Sequence, residues 1–293
     1  MKGSSAKAHR LGVPDATVAL TVAEMRPGAV RIDELLRDGD VERADDVLVA
    51  PPTWRGHSFI ELCEWLVCAK LAADGARATW IAPKRGGATG VRKVLEVRGW
   101  DVDERKEGDR RVFEGSVPAP GDRPEPRTFT EDGVEFAADW GVFSREHLDA
   151  GTRVLYRAAL DRDASFVVDI GTGYGPLPIL LTKAGRCTRA IGTDIDLVAL
   201  FLAHRNAVHN DVEVEFTALA DPTKVDGSPL TLCEIPTHTP ETTVLVDGLK
   251  RRTGIVLVAV HVGIAERYRP LFGGASTVAT SDTHVVLELP RQQ

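Results

Sequence analysis

The sequence predicts an α/β protein with a mostly parallel sheet, arranged as two successive domains. Three observations lead there. Beyond residue 128, short apolar runs alternate with stretches of helical period, the pattern of strands joined by crossover helices. Within that region SFVVDIGTGYGPLPILLTKAG (165–185) reads as a strand, a glycine turn and a helix, and TRAIGTDI (188–195) adds the second strand of a βαβ unit. Ahead of it GSVPAPGDRPEPR (115–127) sets Pro118, Pro120, Pro124 and Pro126 where neither a helix nor a central strand can continue. Residues 118–127 are therefore expected to link a domain over 1–117 to a second over 128–293.

In the first domain, DDVLVAPP (45–52) reads as a buried strand, SFIELCEWLVCAKLAADG (58–75) as a helix closed by Gly75, and ARATWIAP (76–83) as a strand. A helix over 89–98 and a hairpin of DVDERK and RRVFEGSV complete it. In the second, the βαβ unit is followed by a helix through LVALFLAHRNAVHN and strands VEVEFTAL and SPLTLCEI. A helix near 241–250, the strand GIVLVAVHV, and a closing pair around STVATS and THVVLELP end the chain. DDVLVAPPTWRGH and PLTLCEIPTHTP both set a buried strand before a proline-threonine corner, which suggests an internal duplication whose first copy lacks the glycine turn.

Composition narrows the classes of function. A formal charge of -7 and a pI near 5.7 leave no global basic field, so a polyanion would have to meet a local patch. The stretch Lys84 to Arg111, with nine basic and six acidic residues, is the candidate patch or else a solvated mixed-charge surface. Cys63, Cys68, Cys187 and Cys233 form no CxxC pair, which points to reduced thiols rather than a disulfide framework or zinc knuckle. The first twenty residues lack the apolar core of a signal peptide, and no run approaches the ~20 apolar residues of a membrane span. A soluble, cytoplasmic protein without membrane or metal is the expectation.

The turn VVDIGTGYG carries the chemistry. Gly171, Gly173 and Gly175 let the backbone turn sharply and a ligand approach its N–H groups. A dinucleotide fingerprint needs GxGxxG, but Pro176 stands at the place of the last glycine. Asp169, two residues before Gly171, suits an ammonium group rather than a pyrophosphate, and Asp194 ends the next strand, where a carboxylate can accept both hydroxyls of a ribose. His204 and His209 are not spaced as a helical metal pair and read as surface or packing residues.

These residues resemble the class I S-adenosylmethionine-dependent methyltransferases. The resemblance implies a Rossmann-like fold, S-adenosylmethionine as cofactor, and a binding set of Asp169, Gly171, Gly173, Gly175 and Asp194, with Asp221 toward the adenine amino group. The stretch VEFAADWGVFSREHLDAGTRVLYRAAL (134–160) is further similar to the lead-in of ribosomal RNA guanine-N2 methyltransferases of the methyltransferase small domain family, through Gly141, Val142, Phe143, Ser144, Leu148, Asp149, Gly151 and Thr152. That family sets a smaller, degenerate methyltransferase-like α/β domain before the catalytic one, which implies the same for residues 1–117. It also implies ribosomal RNA as substrate and partner.

The family's acceptor motif is Asn-Pro-Pro-Phe/Tyr, often followed by His. Here Glu234 takes the place of the asparagine, Ile235 of the first proline and Thr237 of the aromatic ring, while Pro236 and His238 are kept. The resemblance thus implies Glu234, Pro236 and His238 as the catalytic corner. An ionised glutamate is longer than asparagine and only accepts hydrogen bonds, so it suits an amine or, as a general base, a hydroxyl. Loss of the ring removes a stacking surface worth ~1 to 3 kcal/mol per base. The residues leave open three functions: an N-methyltransferase of a ribosomal guanine, a methyltransferase of a small metabolite or peptide, and a cofactor-binding protein without activity. Cys233, Glu234 and His238 are not expected to form a metal site, since residues 233 and 234 face opposite sides of a strand.

Overall fold

A computed structural model describes residues 17–19, 29–37, 41–219, 221–236 and 242–290. The chain divides into two compact units, Met1–Pro126 with Asp139–Val142, and Arg127–Ala138 with Phe143–Gln293.

The first unit begins with a short parallel pair, β1 (Thr17–Ala19) and β2 (Ala29–Arg31), and the helix α1 (Ile32–Leu36). Its main sheet has the order β3-β4-β6-β5, formed by β3 (Ala44–Val49), β4 (Ala72–Pro83), β5 (Val102–Glu107) and β6 (Arg110–Ser116). Helices α2 (His57–Leu66) and α3 (Ala88–Val97) bury their apolar faces through Phe59, Leu62, Leu66, Val91 and Leu95. The expected helix over 58–75 is shorter: α2 gives way to one wide turn at Val67–Leu71, and β4 begins at Ala72. Gly75 caps no helix. It lies at φ 77° where β4 bulges, between the pairs Ala44 with Ala72 and Asp46 with Arg77. The alanine-rich tail keeps a helical pattern, but pairing with β3 decides its conformation.

Burial of Glu64 in this unit is compensated by the Trp100 indole N–H at 2.9 Å and by Arg98 at 3.5 Å. Gly141, from the GVFS segment, lies at φ 76°, and a Cβ there would stand 2.7 Å from the Arg55 carbonyl oxygen. The glycine is thus a packing requirement. In the Lys84 to Arg111 stretch, Arg92 and Arg111 pair with Glu104, Arg105 with Glu107 and Glu114, and Arg98 with Glu64. Much of its positive charge is neutralised within the unit.

The second unit opens with the hairpin β7 (Thr128–Glu131) and β8 (Val134–Ala137) and the helix α4 (Ala150–Leu160). Then follow β9 (Phe166–Ile170), α5 (Pro176–Lys183), β10 (Arg189–Asp194), α6 (Leu197–His209) and β11 (Glu215–Ala218). The chain continues through β12 (Leu230–Glu234), α7 (Thr242–Lys250), β13 (Ile255–His261), α8 (Val262–Tyr268), β14 (Ser276–Thr280) and β15 (His284–Glu288). Strands β9 to β15 form one sheet of order β11-β10-β9-β12-β13-β15-β14, parallel except for the antiparallel pairings of β15. Val168, Ile170, Val258, Val260 and Leu287 lie in its buried core. The strand order reverses between β9 and β12, so the crevice for a ligand opens at their carboxyl ends.

The first unit's order β3-β4-β6-β5 repeats β12-β13-β15-β14 of the second, with the same parallel and antiparallel pairings. It matches the later half of the second unit's sheet, and the short parallel pair β1 and β2 precedes it in the chain. The first unit is an α/β unit ahead of the second, as the expected fold class has it. Among the described residues no helix is long and apolar enough to cross a membrane.

Candidate active site

The glycine turn sits at the end of β9, and its three glycines have φ values of 78°, 57° and 86°. Each lies in the left-handed region that L side chains avoid. At Gly171 and Gly173 a Cβ would meet nothing within 4 Å, so the turn borders open space; at Gly175 it would stand 2.9 Å from Phe216 Cζ. The third glycine leaves room for Phe216 of β11 and Ala203 of α6. The turn is held to β10 by the N–H groups of Gly171 and Thr172, which donate to the Thr193 carbonyl at 2.8 and 2.9 Å.

Asp169 and Asp194 stand on either side. Asp169 is 2% exposed, and burial raises its pKa to about 7; the Thr172 hydroxyl offsets part of this, and Asp194 adds to it. Asp194 is raised to about 6, again by burial first and then by Asp196, while the N–H groups of Asp196 and Gly173 lower it. No basic side chain of the described residues offsets either charge. Asp194 also has a local role: Oδ2 accepts from Gly173 N at 2.8 Å and Oδ1 from Asp196 N at 2.9 Å, so it fastens the turn. A buried and a half-buried carboxylate without a cation, beside an open glycine turn, fit a ligand that brings an ammonium group and hydroxyl donors. S-adenosylmethionine has both. Asp221, after β11, accepts from the Thr223 N–H at 3.0 Å and hydroxyl at 2.7 Å through Oδ1, and these bonds hold its pKa below the usual value.

Linkage at Asp169 sets a pH dependence. A carboxyl raised in the folded state binds more protons there than in the unfolded chain, so its contribution to stability falls as pH rises from about 4 to about 7. A bound ammonium group favours the ionised form. Below pH 7 binding must therefore release a proton, and the affinity for S-adenosylmethionine should fall by up to about tenfold per pH unit. Titration calorimetry between pH 5.5 and 8, in buffers of different ionisation enthalpy, should detect that release; a pH-independent affinity with no proton exchange would reject the assignment.

The acceptor corner lies on the neighbouring strand. Cys233 pairs with Ile170, which sets Glu234 level with the first residue of the glycine turn. Cys233 is fully buried and its thiol is held well above the usual value by burial, so it is a packing residue. Glu234 faces the other way. Its Oε2 lies 3.0 Å from Thr152 Oγ1, and its Oε1 lies 3.7 Å from His284 Nε2. Thr152 Oγ1 also contacts Asp149 Oδ2, while Asp149 Oδ1 caps α4 by accepting from Gly151 N at 2.8 Å and Thr152 N at 3.0 Å. Burial, and then Asp149, raise the Glu234 pKa to about 8. Pro236 stands two residues beyond the end of β12, and His238 lies outside the described residues. Among the described residues, no group of three or more His, Cys, Asp or Glu is arranged to hold a metal ion.

Four contributors had no local signal. The resemblance contains Asp149 and Thr152, but nothing in their spacing joins them to a residue 82 positions later. His284 reaches the corner because β15 runs antiparallel, which brings its beginning to the edge where the parallel strands end. Asn206, buried on α6, accepts from Ala137 N at 2.8 Å and donates to the carbonyls of Ala137 and Tyr174 at 3.1 and 2.9 Å, tying the β7–β8 hairpin to the glycine turn. His204 meets Phe216 edge-on and His209 pairs with Glu135 at 3.3 Å, away from this corner.

Comparison with known proteins agrees with this geometry. Residues 133–228 match the family model of the methyltransferase small domain. A ribosomal RNA small subunit methyltransferase C of Hahella chejuensis is 29% identical over 158 residues, which are 50% of this chain and 46% of that protein. A ribosomal protein L11 methyltransferase of Chromohalobacter salexigens is 46% identical over 66 residues, 22% of each chain. The matched stretches thus span less than half of these curated relatives. Among solved structures, a T. thermophilus 16S rRNA N2 methyltransferase in complex with AdoMet and guanosine superposes with a TM-score of 0.70 at 21% identity, over 85% of this chain and 74% of that one. Residues 133–228 are thus similar to the methyltransferase small domain, and the chain shares the fold of class I S-adenosylmethionine-dependent methyltransferases.

Proposed function

We propose that the protein is an S-adenosylmethionine-dependent methyltransferase that N-methylates a guanine of ribosomal RNA. The observation that carries this reading is the meeting, at one sheet edge, of the Asp169–glycine turn–Asp194 cradle with Glu234 on the adjacent strand. The cofactor supplies the methyl group. Asp169 and Asp194 hold it, and Glu234 takes an N–H of the acceptor, so that catalysis is mainly alignment. The guanine assignment leans on the rRNA methyltransferase relative and on the structural neighbour with guanosine. A groove of about 370 Å³ at the start of α4, lined by His147, Arg153, Arg157, Thr280 and Ser281, offers Arg157 to a phosphate backbone, while Arg153 pairs with Glu131 at 3.1 Å. If the base is paired, it must first be extruded.

A second reading, a peptide or small-metabolite acceptor, draws on the net charge of -7 and on the L11 methyltransferase relative. Transfer of labelled methyl from S-adenosylmethionine to isolated ribosomal subunits, bulk transfer RNA, ribosomal proteins and a small-molecule extract, assayed in parallel, decides between them. We expect label in ribosomal RNA as N2-methylguanine, and binding that weakens with salt. Label confined to protein or small molecules would replace the first reading by the second.

A further inference from the structure

Hydrogen-bond accounting at the acceptor corner places a proton that the sequence does not reveal. Thr152 has one hydroxyl hydrogen, yet its Oγ1 lies within hydrogen-bond distance of two carboxyl groups, Asp149 Oδ2 and Glu234 Oε2. The hydroxyl can donate to only one of them. The other contact is a hydrogen bond only if that carboxyl is itself protonated and donates to Oγ1. Asp149 accepts two backbone N–H groups, which favour its ionised form, whereas no backbone N–H of the described residues donates to Glu234. The proton therefore belongs on Glu234, with the chain of donors running from Glu234 to Thr152 to Asp149.

We propose that Glu234 acts as a neutral carboxylic acid, the hydrogen-bonding equivalent of the carboxamide it replaces, and so selects an uncharged exocyclic amine as methyl acceptor. One oxygen donates to Thr152. The other, Oε1, has no donor within hydrogen-bond distance among the described residues, with His284 Nε2 at 3.7 Å, and is available to the acceptor N–H. This inference rests on the methyltransferase reading and deepens it. A neutral acid takes no proton from a hydroxyl, so the general-base use of Glu234 is set aside. In the transfer, the acceptor nitrogen forms its bond to the methyl carbon as the carbon–sulfur bond breaks, the electron pair staying on sulfur. The surplus proton then leaves the nitrogen for water.

The surroundings keep the proton in place. Facing Glu234 are Asp149 and Thr152 from α4, Asp169 from β9, the buried Tyr174 hydroxyl from the glycine turn, and His284 from β15 with His261 behind it at 5.2 Å. Burial lowers the His284 pKa, so it is uncharged near neutral pH. Acids and neutral groups thus face Glu234, and together with burial they raise its pKa to about 8.

The test has two arms. Infrared difference spectra of wild type against Glu234→Gln should show at pH 7 a carboxylic-acid C=O band that disappears above pH 8.5; subtracting the variant removes the other buried acids. Its absence at pH 7 would overturn the proposal whether or not an acceptor is known. In the transfer assay, wild-type activity should fall as pH rises through 8, and Glu234→Gln should lose that alkaline decline while staying within about tenfold of wild type at pH 7. Glu234→Ala should fall by about a hundredfold, as when one aligned donor or acceptor is removed. A Gln variant as inactive as the Ala variant would also overturn the proposal. Wild type that carries the acid band but methylates nothing would instead defeat the methyltransferase reading and leave the proton assignment standing.

Discussion

Asp194→Ala should lower the affinity for S-adenosylmethionine by about 10² to 10³. The carboxylate is half-buried at the end of β10 and is read as the acceptor of two ribose hydroxyls. Each charge-assisted bond is worth about 1.5 to 3 kcal/mol, and about 1.4 kcal/mol is a factor of ten. The same side chain fastens the turn through Gly173 N at 2.8 Å, so alanine also loosens the surface that the ligand approaches. Asp194→Asn separates the two effects. It can keep one acceptor oxygen for the turn but loses the charge and one of two acceptors, and its affinity should fall by only about tenfold to a hundredfold. Removing a half-buried carboxylate that no cation offsets relieves a desolvation cost, so neither variant should melt much below wild type. Calorimetry with S-adenosylmethionine on all three proteins, with urea unfolding as a control, checks this. Equal affinities would move the ribose elsewhere.

The glycine turn and its two flanking acids were readable in the sequence because each of these parts is local. A strand ending in an acid, a turn needing positive φ at three glycines, and an acid closing the next strand are fixed by chain neighbours and by one parallel pairing, β9 with β10. The strands themselves followed from apolar runs. The helix at 58–75 did not, because its tail satisfies a helical pattern while the edge of β3 requires a partner; long-range pairing prevailed over local preference. The acceptor corner was half legible. Glu234 could be found by counting strands from the glycine turn, but its protonation is set by Asp149 and Thr152 on α4 and by His284 on β15. No pattern in the order of residues shows that three elements converge. Asp194 was assigned to the ribose with no sign that it also holds the turn, since that bond needs the folded register of β10 against β9.

Gly151→Ala should abolish most methyl transfer while leaving the fold and the cofactor site intact. Gly151 stands in the first turn of α4, where alanine is the better helix former by about 1 kcal/mol, so helix preference favours the substitution. Space opposes it. A Cβ at 151 would lie 2.6 Å from Glu234 Cδ and nearer still to Oε1. The atoms met are the far end of a flexible side chain, so the glutamate moves and the backbone stays. The displaced Oε1 is the oxygen that is to receive the acceptor N–H, and a shift of about 1 Å at such a position can cost about a hundredfold in rate. Stability by urea should stay within about 1 kcal/mol of wild type, because the helix gain and the rotamer cost are of similar size. S-adenosylmethionine affinity should be unchanged, since Asp169, the glycine turn and Asp194 lie on β9 and β10 rather than α4. The double variant Gly151→Ala with Glu234→Ala should be no slower than Glu234→Ala alone, because the added methyl acts only through the side chain already removed. A further loss in the double variant, or a drop in cofactor affinity, would show that Gly151 serves the backbone of α4 and not the place of Glu234.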